Sequence, residues 1–566
     1  MVSCTGWAHT AKVLLNAAGT FPATLGIEKN VLSALTQTRP GASTHGDHVK
    51  KGRGDIAMTR RTMIAALAAI PVLLWACHLP PEKSETPVPK LAIAQDFDAV
   101  LGAVWAAPSH PPGIAIAVYS PEGVYVRGLG VTDAATGEPV TPDTAFYIAS
   151  TTKAFTALAL NVLDHRGEID LDRTLADLAP DAEFPAVVRP DQVTIQRLLT
   201  HTSGIENGPI AFRSAYTGEH TPELMWRLLG SSKVNPRAPL GTFEYTNTGY
   251  NLLTVITDRK IGVRWQDLLQ REIFTPAGMT RTTAYMSKAQ RERWSIAKPH
   301  ASLTPGPSER LGVEKTDGMM QSAGGLVASA SDAARWLELL VNDGRVRGRQ
   351  IIPPEVVRET RDRLAKVGAV RGAFTREDYG LGWYIGRYRD DLVLSHGGGF
   401  AGFASFISYM PERRLGVAVF VNDSGAGSAM PEAITQYAYD RLLGRPEATD
   451  TAAAAAGLKS AFEARIAAIA VDRSNRAKRV WTLSRPRAAY AGTYDSPLLG
   501  TLVVSLDGDA LSARLGPLHA VAEPFTQPDS IRVAFAGTGM VIGFEVSADG
   551  QATAANFSGA RFQRVN

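Results

Sequence analysis

The chain has 566 residues, of which 45% are hydrophobic and 20% charged, and its formal net charge is +4. This length is too great for one ordinary core, so we expect two folded units and non-globular ends. The composition is that of a globular protein, and no Lys/Arg run interleaves with aromatic residues as in a nucleic-acid-binding surface. With only two cysteines, Cys4 and Cys77, and no His-Glu-x-x-His spacing, we expect no disulfide framework, no metal site and no cofactor.

Residues 58–77 have the pattern of an export signal. Arg60 and Arg61 precede an uncharged apolar run that is shorter than the ~20 residues of a membrane-spanning helix. The arginine pair resembles a twin-arginine signal, and Leu-Trp-Ala-Cys, ending at Cys77, resembles a lipoprotein cleavage box. We therefore expect a bacterial protein exported to the periplasm, either released there or anchored to the membrane through a lipid on Cys77.

A signal peptide stands at the start of a chain, whereas this one follows residues 1–57. The expectation is that translation begins at Met58 and that residues 1–57 are a non-globular extension outside the true protein. The rival interpretation is an apolar stretch that anchors a cytosolic extension. In either case residues 78–91, which contain Pro and Glu, form a linker.

Residues 92–443 have the pattern of one α+β domain. Strands are predicted near both ends and helices between them, which indicates an antiparallel sheet closed by two hairpins. The segment that follows Lys153 is almost wholly apolar, which is typical of a buried helix. The predicted elements are hairpins at 113–131 and 402–423 and helices at 151–166 and 332–342.

The composition changes after residue 443. Residues 444–487 are predicted to be a helical linker, with an Ala-rich helix at 451–470 and a basic, linker-like stretch at 471–487. From residue 488 to 566, short β-runs alternate with turns, which predicts a small all-β domain.

Ser150 and Lys153 form a Ser-x-x-Lys pair at the start of the predicted buried helix. Residues three apart share one helical face, so the Lys153 amine can lie beside the Ser150 hydroxyl. A helix N-terminus stabilises developing negative charge, and burial lowers the pKa of a lysine toward useful base strength. A chain of this length is expected to contain about one such pair by chance. Other segments must therefore support the assignment of Ser150 and Lys153 as catalytic residues.

Tyr245 and Asn247 form a Tyr-x-Asn segment that fits the same chemistry. A tyrosine close to a lysine ammonium is expected to have a depressed pKa and to shuttle protons. The Asn247 amide can donate to a substrate carbonyl and also hold the lysine.

A third segment consists of His396 followed by three glycines that lead into the strand predicted at 402–410. Small residues let a substrate lie along a strand edge, and His396 would supply a cationic or donor group at its start. The glycines are Gly397, Gly398 and Gly399.

In this order the three segments resemble the S-x-x-K, Y-x-N and K/H-x-G motifs of the superfamily of class C β-lactamases, D-alanyl-D-alanine carboxypeptidases and esterases, the penicillin-binding-protein-like serine hydrolases. Four more segments are similar to sequences of that family, which extends the resemblance over residues 95–443; they are 198–205, 274–279, 323–332 and 379–383. The resemblance implies a β-lactamase/transpeptidase-like antiparallel sheet flanked by helices, with a helical region. The segment 490–494 resembles the opening of a lipocalin-like barrel.

The resemblance also implies an acyl-enzyme mechanism. Ser150 would attack the acyl carbon, Lys153 and Tyr245 would move its proton, and Asn247 would position the substrate. The N–H groups of Ser150 and Gly399 would form the oxyanion hole, and His201 would be structural. The expected substrate is a small ester, peptide or β-lactam-like molecule. Because His396-Gly397-Gly398 replaces the usual Lys-Thr-Gly, esters or peptides are favoured over penicillins.

Two other classes were considered. A standard α/β-hydrolase needs a Gly-x-Ser-x-Gly elbow, which the sequence lacks. The second is a catalytically inactive protein of the same fold that binds cell-wall peptide. It stays open as an alternative, although the presence of all four candidate side chains, at 150, 153, 245 and 247, argues against it.

Overall fold

The computed structural model describes residues 91–206, 208–217 and 222–565, which all belong to one compact unit. Residues 1–57, the predicted signal peptide at 58–77 with Cys77, and residues 78–90 of the predicted linker lie outside the described residues. Within the described part of the chain, no helix has the length and apolarity needed to cross a membrane.

The strands are β1 Gly113–Ser120, β2 Gly123–Gly130, β3 Phe146–Tyr147, β4 Thr282–Thr283, β5 His300–Ala301, β6 Glu309–Arg310, β7 Val327–Ala328, β8 Arg345–Val346, β9 Arg349–Gln350, β10 Ala365–Arg371, β11 Phe374–Tyr379, β12 Tyr384–Tyr388, β13 Asp391–Phe400, β14 Phe403–Met410, β15 Leu415–Val421, β16 Gly492–Ser496, β17 Gly500–Asp507, β18 Ala510–Leu515, β19 Leu518–Pro524, β20 Ser530–Phe535, β21 Thr538–Val546, β22 Ala552–Phe557 and β23 Ala560–Arg564.

The α-helices are α1 Ala94–Trp105, α2 Thr152–His165, α3 Leu175–Leu178, α4 Ile195–Leu199, α5 Pro209–Tyr216, α6 Pro222–Leu228, α7 Thr248–Ile256, α8 Trp265–Leu269, α9 Thr275–Ala277, α10 Met286–Arg291, α11 Ala330–Val341, α12 Pro354–Glu359, α13 Met430–Leu442 and α14 Thr451–Ala477.

An eight-stranded antiparallel sheet organises the first domain, in the order β10-β11-β12-β13-β14-β15-β1-β2. The N-terminal hairpin joins the C-terminal one because β1 pairs with β15, with Ala117 opposite Ala418. Both predicted hairpins and the predicted α+β architecture are thus confirmed.

The central strands are apolar throughout because both faces of the sheet are covered. On β1, Ala115 and Ala117 enter the core on one face, while Ile114, Ile116 and Val118 enter the core on the other. Helix α11 packs against β1 and β15 on the first face. Helices α1, α13 and α14 contribute to the core of the second face.

Helix α2 is the predicted buried helix. Every residue from Thr152 to Leu163 is buried, including Lys153. The Phe155 ring stacks on Trp336 of α11 at a centroid distance of 3.9 Å. This packing fixes the helix start, and with it the position of Ser150, against the sheet.

The second domain is a closed barrel of the eight strands β16 to β23, as the resemblance implied. Its first strand pairs with its last, with Tyr494 opposite Arg564, so no edge is left exposed. Strand β22, ATAANF, is rich in alanine, which is a weak strand former. Pairing with β21 and β23 holds this segment in the barrel.

The structure corrects the predicted linker at 444–487. Helix α14 continues to Ala477 instead of ending at residue 470, so residues 471–477 are helical. Its buried residues lie on one face that contacts α1 and enters the second core of the sheet; they are Ala455, Leu458, Phe462 and Ile466. The helix is therefore part of the hydrolase-like domain and not a tether.

Candidate active site

Ser150 lies in a 3-10 turn, Ala149–Thr151, directly before α2. Its side chain is partly exposed, while its neighbours on both sides are buried. Ala149 has a φ of 47°, a left-handed conformation that costs a non-glycine residue about 1–3 kcal/mol and that clusters at functional sites. The turn presents one hydroxyl at the base of a cleft.

The Lys153 amine is completely buried and has three neighbours. Its Nζ atom lies 2.8 Å from Asn247 Oδ1, 2.6 Å from the carbonyl oxygen of Ala323 and 3.4 Å from Ser150 Oγ. Burial holds the pKa of Lys153 well below its ordinary value. The structure thus brings Ser150, Lys153 and Asn247 together, and it adds the Ala323 carbonyl, to which the sequence assigned no role.

Tyr245 lies on the other side of the lysine, with Lys153 Nζ 4.9 Å from the centroid of its ring. The expected depression of its pKa is wrong. Burial raises the pKa of Tyr245, and the nearby Ser150 hydroxyl opposes that rise only in part. Because the lysine is buried as well, burial works against a positive charge on Lys153 that would stabilise a phenolate. Tyr245 is therefore a phenol rather than a phenolate.

The three glycines lie within strand β13 and not in a turn that precedes the strand. β12 pairs with β13 only as far as Ser395, while β14 pairs with it as far as Phe400. Beyond Ser395 the free edge of β13 approaches the Ser150 turn. A Cβ atom on Gly398 would lie 2.4 Å from the carbonyl oxygen of Ile148 and 3.2 Å from Ser150 N, so only glycine permits this approach.

The structure corrects the expected role of His396. The ring is buried, and its Nδ1 lies 2.7 Å from the carbonyl oxygen of Gly397, to which it donates. Its Nε2 lies 3.2 Å from the Tyr379 hydroxyl. Burial lowers the pKa of His396 to about 3. His396 is therefore a neutral residue that orients the strand, and it offers a substrate neither a cation nor a spare donor.

A hydrogen-bonded chain links His396 to the loop that carries Tyr245. Tyr379 Oη also lies 3.3 Å from Nε2 of His201, whose Nδ1 accepts from the backbone N–H of Thr246. Since Nδ1 accepts, Nε2 of His201 carries the proton and donates to Tyr379. The expected structural role of His201 agrees with this position, between the Tyr-x-Asn loop and the glycine strand.

The cleft above Ser150 holds about 760 Å³ and is bordered by Tyr245, His396 and the three glycines. It is also bordered by Arg376, which the sequence analysis missed. The Arg376 guanidinium lies 4.4 Å from the centroid of the Tyr384 ring, and its buried Nε has no hydrogen-bond partner among the described residues. No sequence signal marks it, because it lies in an ordinary strand, β11.

Across residues 91–206, 208–217 and 222–565, no group of His, Cys, Asp or Glu side chains is arranged to hold a metal ion.

The antiparallel sheet, the buried helix and the order of these segments define a protein of the β-lactamase and penicillin-binding-protein class. The beta-lactamase family profile matches residues 97–440, more than half of the chain. The chain belongs to the beta-lactamase family.

Two curated relatives show the range of this family. The unguisins hydrolase ungD of Aspergillus violaceofuscus is 26% identical over 357 residues, which cover 59% of this chain and 62% of that protein. The chain thus spans less than two thirds of that relative's length. The D-alanyl-D-alanine-carboxypeptidase/endopeptidase AmpH of Escherichia coli K12 is 27% identical over 325 residues, which cover 56% of this chain and 80% of that protein. Both relatives are hydrolases by name.

Among solved structures, the octameric penicillin-binding protein homologue from Pyrococcus abyssi superposes with a TM-score of 0.53 at 23% identity. The match covers 83% of this chain and all of that chain. At this identity the likeness establishes the fold alone.

Proposed function

We propose that this chain is a serine hydrolase that cleaves ester or amide bonds through an acyl-enzyme on Ser150. The observation that carries the proposal is the environment of Lys153. A neutral amine has two N–H groups and one lone pair. Asn247 Oδ1 and the Ala323 carbonyl accept the two N–H groups, so the lone pair faces Ser150 Oγ at 3.4 Å.

The proposed reaction begins when Lys153 accepts the Ser150 proton while the serine oxygen attacks the acyl carbon. The Tyr245 phenol keeps its proton because burial raises its pKa. It can therefore give that proton to the leaving group and regain one from the Lys153 ammonium. Water then attacks the acyl-enzyme while Lys153 accepts its proton, and the Lys153 ammonium returns that proton to Ser150 Oγ as the acid leaves.

Substrate would lie along the open edge of β13 next to Ser150. The N–H groups of Ser150 and Gly399 are our candidates for the oxyanion hole, and Asn247 contacts the substrate from the other side. Since His396 is neutral and engaged by Tyr379, His396 does not supply the cation that the lysine of a Lys-Thr-Gly motif would supply. Esters and peptides are accordingly our favoured substrates, ahead of β-lactams.

The test is whether a substrate acylates Ser150, and intact mass spectrometry detects the acyl adduct. The wild type and Ser150→Ala are incubated with a nitrophenyl ester, nitrocefin and a D-Ala-D-Ala peptide, and turnover is measured in parallel. We expect turnover of an ester or peptide and an acyl adduct on the wild type, with loss of at least about 10³-fold in Ser150→Ala.

Activity that survives in Ser150→Ala would refute the site. Binding of the peptide without turnover or acylation of any substrate would favour the alternative, an inactive cell-wall peptide-binding protein.

We further propose that the protein is exported through residues 58–77, with translation starting at Met58. N-terminal sequencing and mass spectrometry of the native protein test this, and peptides from residues 1–57 would contradict it. Radiolabelled palmitate, with Cys77→Ala as the control, distinguishes a lipid-anchored form from a released one.

A further inference from the structure

Ser150 lies where two cavities meet. The cleft of about 760 Å³ has polar groups on its far side, including Arg376 and Glu432. A second cavity, of about 410 Å³, is bordered mainly by apolar side chains. The two share four lining residues, Ser150, Tyr216, Gly399 and Phe400. A substrate whose scissile bond lies at Ser150 therefore reaches into both.

The second cavity, here called the apolar cavity, has walls from both domains. Helix α5 supplies Ala211, Phe212 and Ala215. The barrel supplies residues from two neighbouring strands, Met540 and Val541 of β21 and Phe557 of β22. The barrel thus borders the same cavity as Ser150.

The barrel packs against helix α5 of the first domain beside this cavity. Phe212 is buried within the hydrophobic core of the barrel, where its ring meets Phe557 edge to face at 5.0 Å. Arg213, which is also buried, donates to the carbonyl oxygen of Leu498 at 2.8 Å. Thr538 of the barrel and Tyr216 of α5 also meet at the border of the larger cleft.

We infer that the C-terminal barrel completes a substrate subsite, so that the chain selects substrates with an aliphatic or aromatic group on one side of the scissile bond. The inference rests on the proposed hydrolase function. The apolar cavity receives that group because binding removes apolar surface of the group and of the cavity walls from water, which is favourable in free energy. Val541 is the residue that sets the preference, because it lies on the outward face of β21 and lines the cavity without filling the barrel core.

The experiment compares kcat/KM in two ester series, one lengthened by methylenes on the acyl side and one on the alcohol side. For the wild type we expect kcat/KM to rise about fourfold per added methylene in one series until the cavity is filled. Val541→Asp places a charge in the cavity, so we expect it to abolish that rise. Val541→Trp fills the cavity, so we expect it to shift the preference to the shortest ester.

The matched controls are Val521→Asp and Val521→Trp, at a barrel valine that is 61% exposed. We expect both to keep the wild-type preference. Thermal unfolding checks that each variant is folded. If Val541→Asp is not folded, the substrate preference of Val541→Trp decides the question.

The inference is overturned if neither series shows a rise in the wild type, or if the Val541 and Val521 variants behave alike. Failure of the proposed function has a different signature, since the wild type and Ser150→Ala would then hydrolyse the shortest ester equally well or would both leave it intact.

Discussion

Lys153 illustrates how burial sets the chemistry of a single residue. Its pKa is held well below 10.5 by burial, so the amine becomes neutral within an ordinary pH range. We predict that kcat/KM for a neutral ester rises with pH as Lys153 loses its proton and levels off well below pH 10.5. At lower pH the ammonium cannot accept the Ser150 proton, so activity falls.

The measurement is a pH–rate profile, with Ser150→Ala as the blank for spontaneous hydrolysis. Lys153→Arg should lower kcat/KM by about 10²–10⁴-fold at every pH, because a guanidinium stays charged and cannot act as the base. A wild-type profile that still rises at pH 10 would contradict this assignment.

A second prediction at the scale of single residues concerns Arg376. Its guanidinium borders the cleft, and its Nε has no partner among the described residues. A substrate carboxylate would pair with it. We predict that Arg376→Ala lowers kcat/KM for a D-Ala-D-Ala peptide by about tenfold or more, as expected for a lost charge-assisted hydrogen bond. A neutral ester should change far less, and Arg376→Lys should recover part of the loss. Equal losses for the two substrates would exclude the pairing.

At the scale of elements, the site depends on how closely β13 approaches the Ser150 turn. A Cβ atom on Gly398 would lie 2.2 Å from Ser405 Oγ and 2.4 Å from the Ile148 carbonyl oxygen. Gly398→Ala must therefore push the strand away from the nucleophile. Because small misplacements at a reacting centre can cost about 10²-fold in rate, we predict a loss of that order in kcat/KM.

The control is Gly102→Ala on α1, where an added Cβ meets nothing within 4 Å. It should leave activity near the wild-type value and should not lower the unfolding midpoint, because alanine is favoured over glycine inside a helix by about 1 kcal/mol. Wild-type kinetics in Gly398→Ala would show that the approach is not needed.

At the scale of the whole molecule, α14 belongs to the hydrolase-like domain and also contacts the barrel. Its buried face contacts α1, and Arg476 near its C-terminus pairs with Glu523 of β19 at 2.8 Å. We predict that Phe462→Ala lowers the free energy of unfolding by about 3–5 kcal/mol, the usual cost of a large core truncation. Urea unfolding measures it. Val471→Ala, at a residue that is 61% exposed, should change the stability by less than about 0.5 kcal/mol. Similar effects of the two substitutions would mean that α14 is only a linker.

Local sequence patterns predicted much of the fold and of the candidate site of this protein. Alternation and turn residues predicted both hairpins, the apolar run after Lys153 predicted the buried helix α2, and the ordered motifs predicted the family and the candidate residues. Each of these signals arises within a short segment, where the periodicity of side chains reports the environment of one element.

Only the tertiary structure decided the protonation states of the residues in the site. Whether Tyr245 has a low or a high pKa, and whether His396 is a cation, depends on burial by residues far away in the chain, such as Tyr379. The same holds for Arg376 and for the barrel wall at Val541, which distant strands bring to Ser150. The sequence by itself determined which groups are present and how their own segments fold. Packing decided which of them are charged and which face the nucleophile, because desolvation and contact are properties of the assembled core and not of any segment.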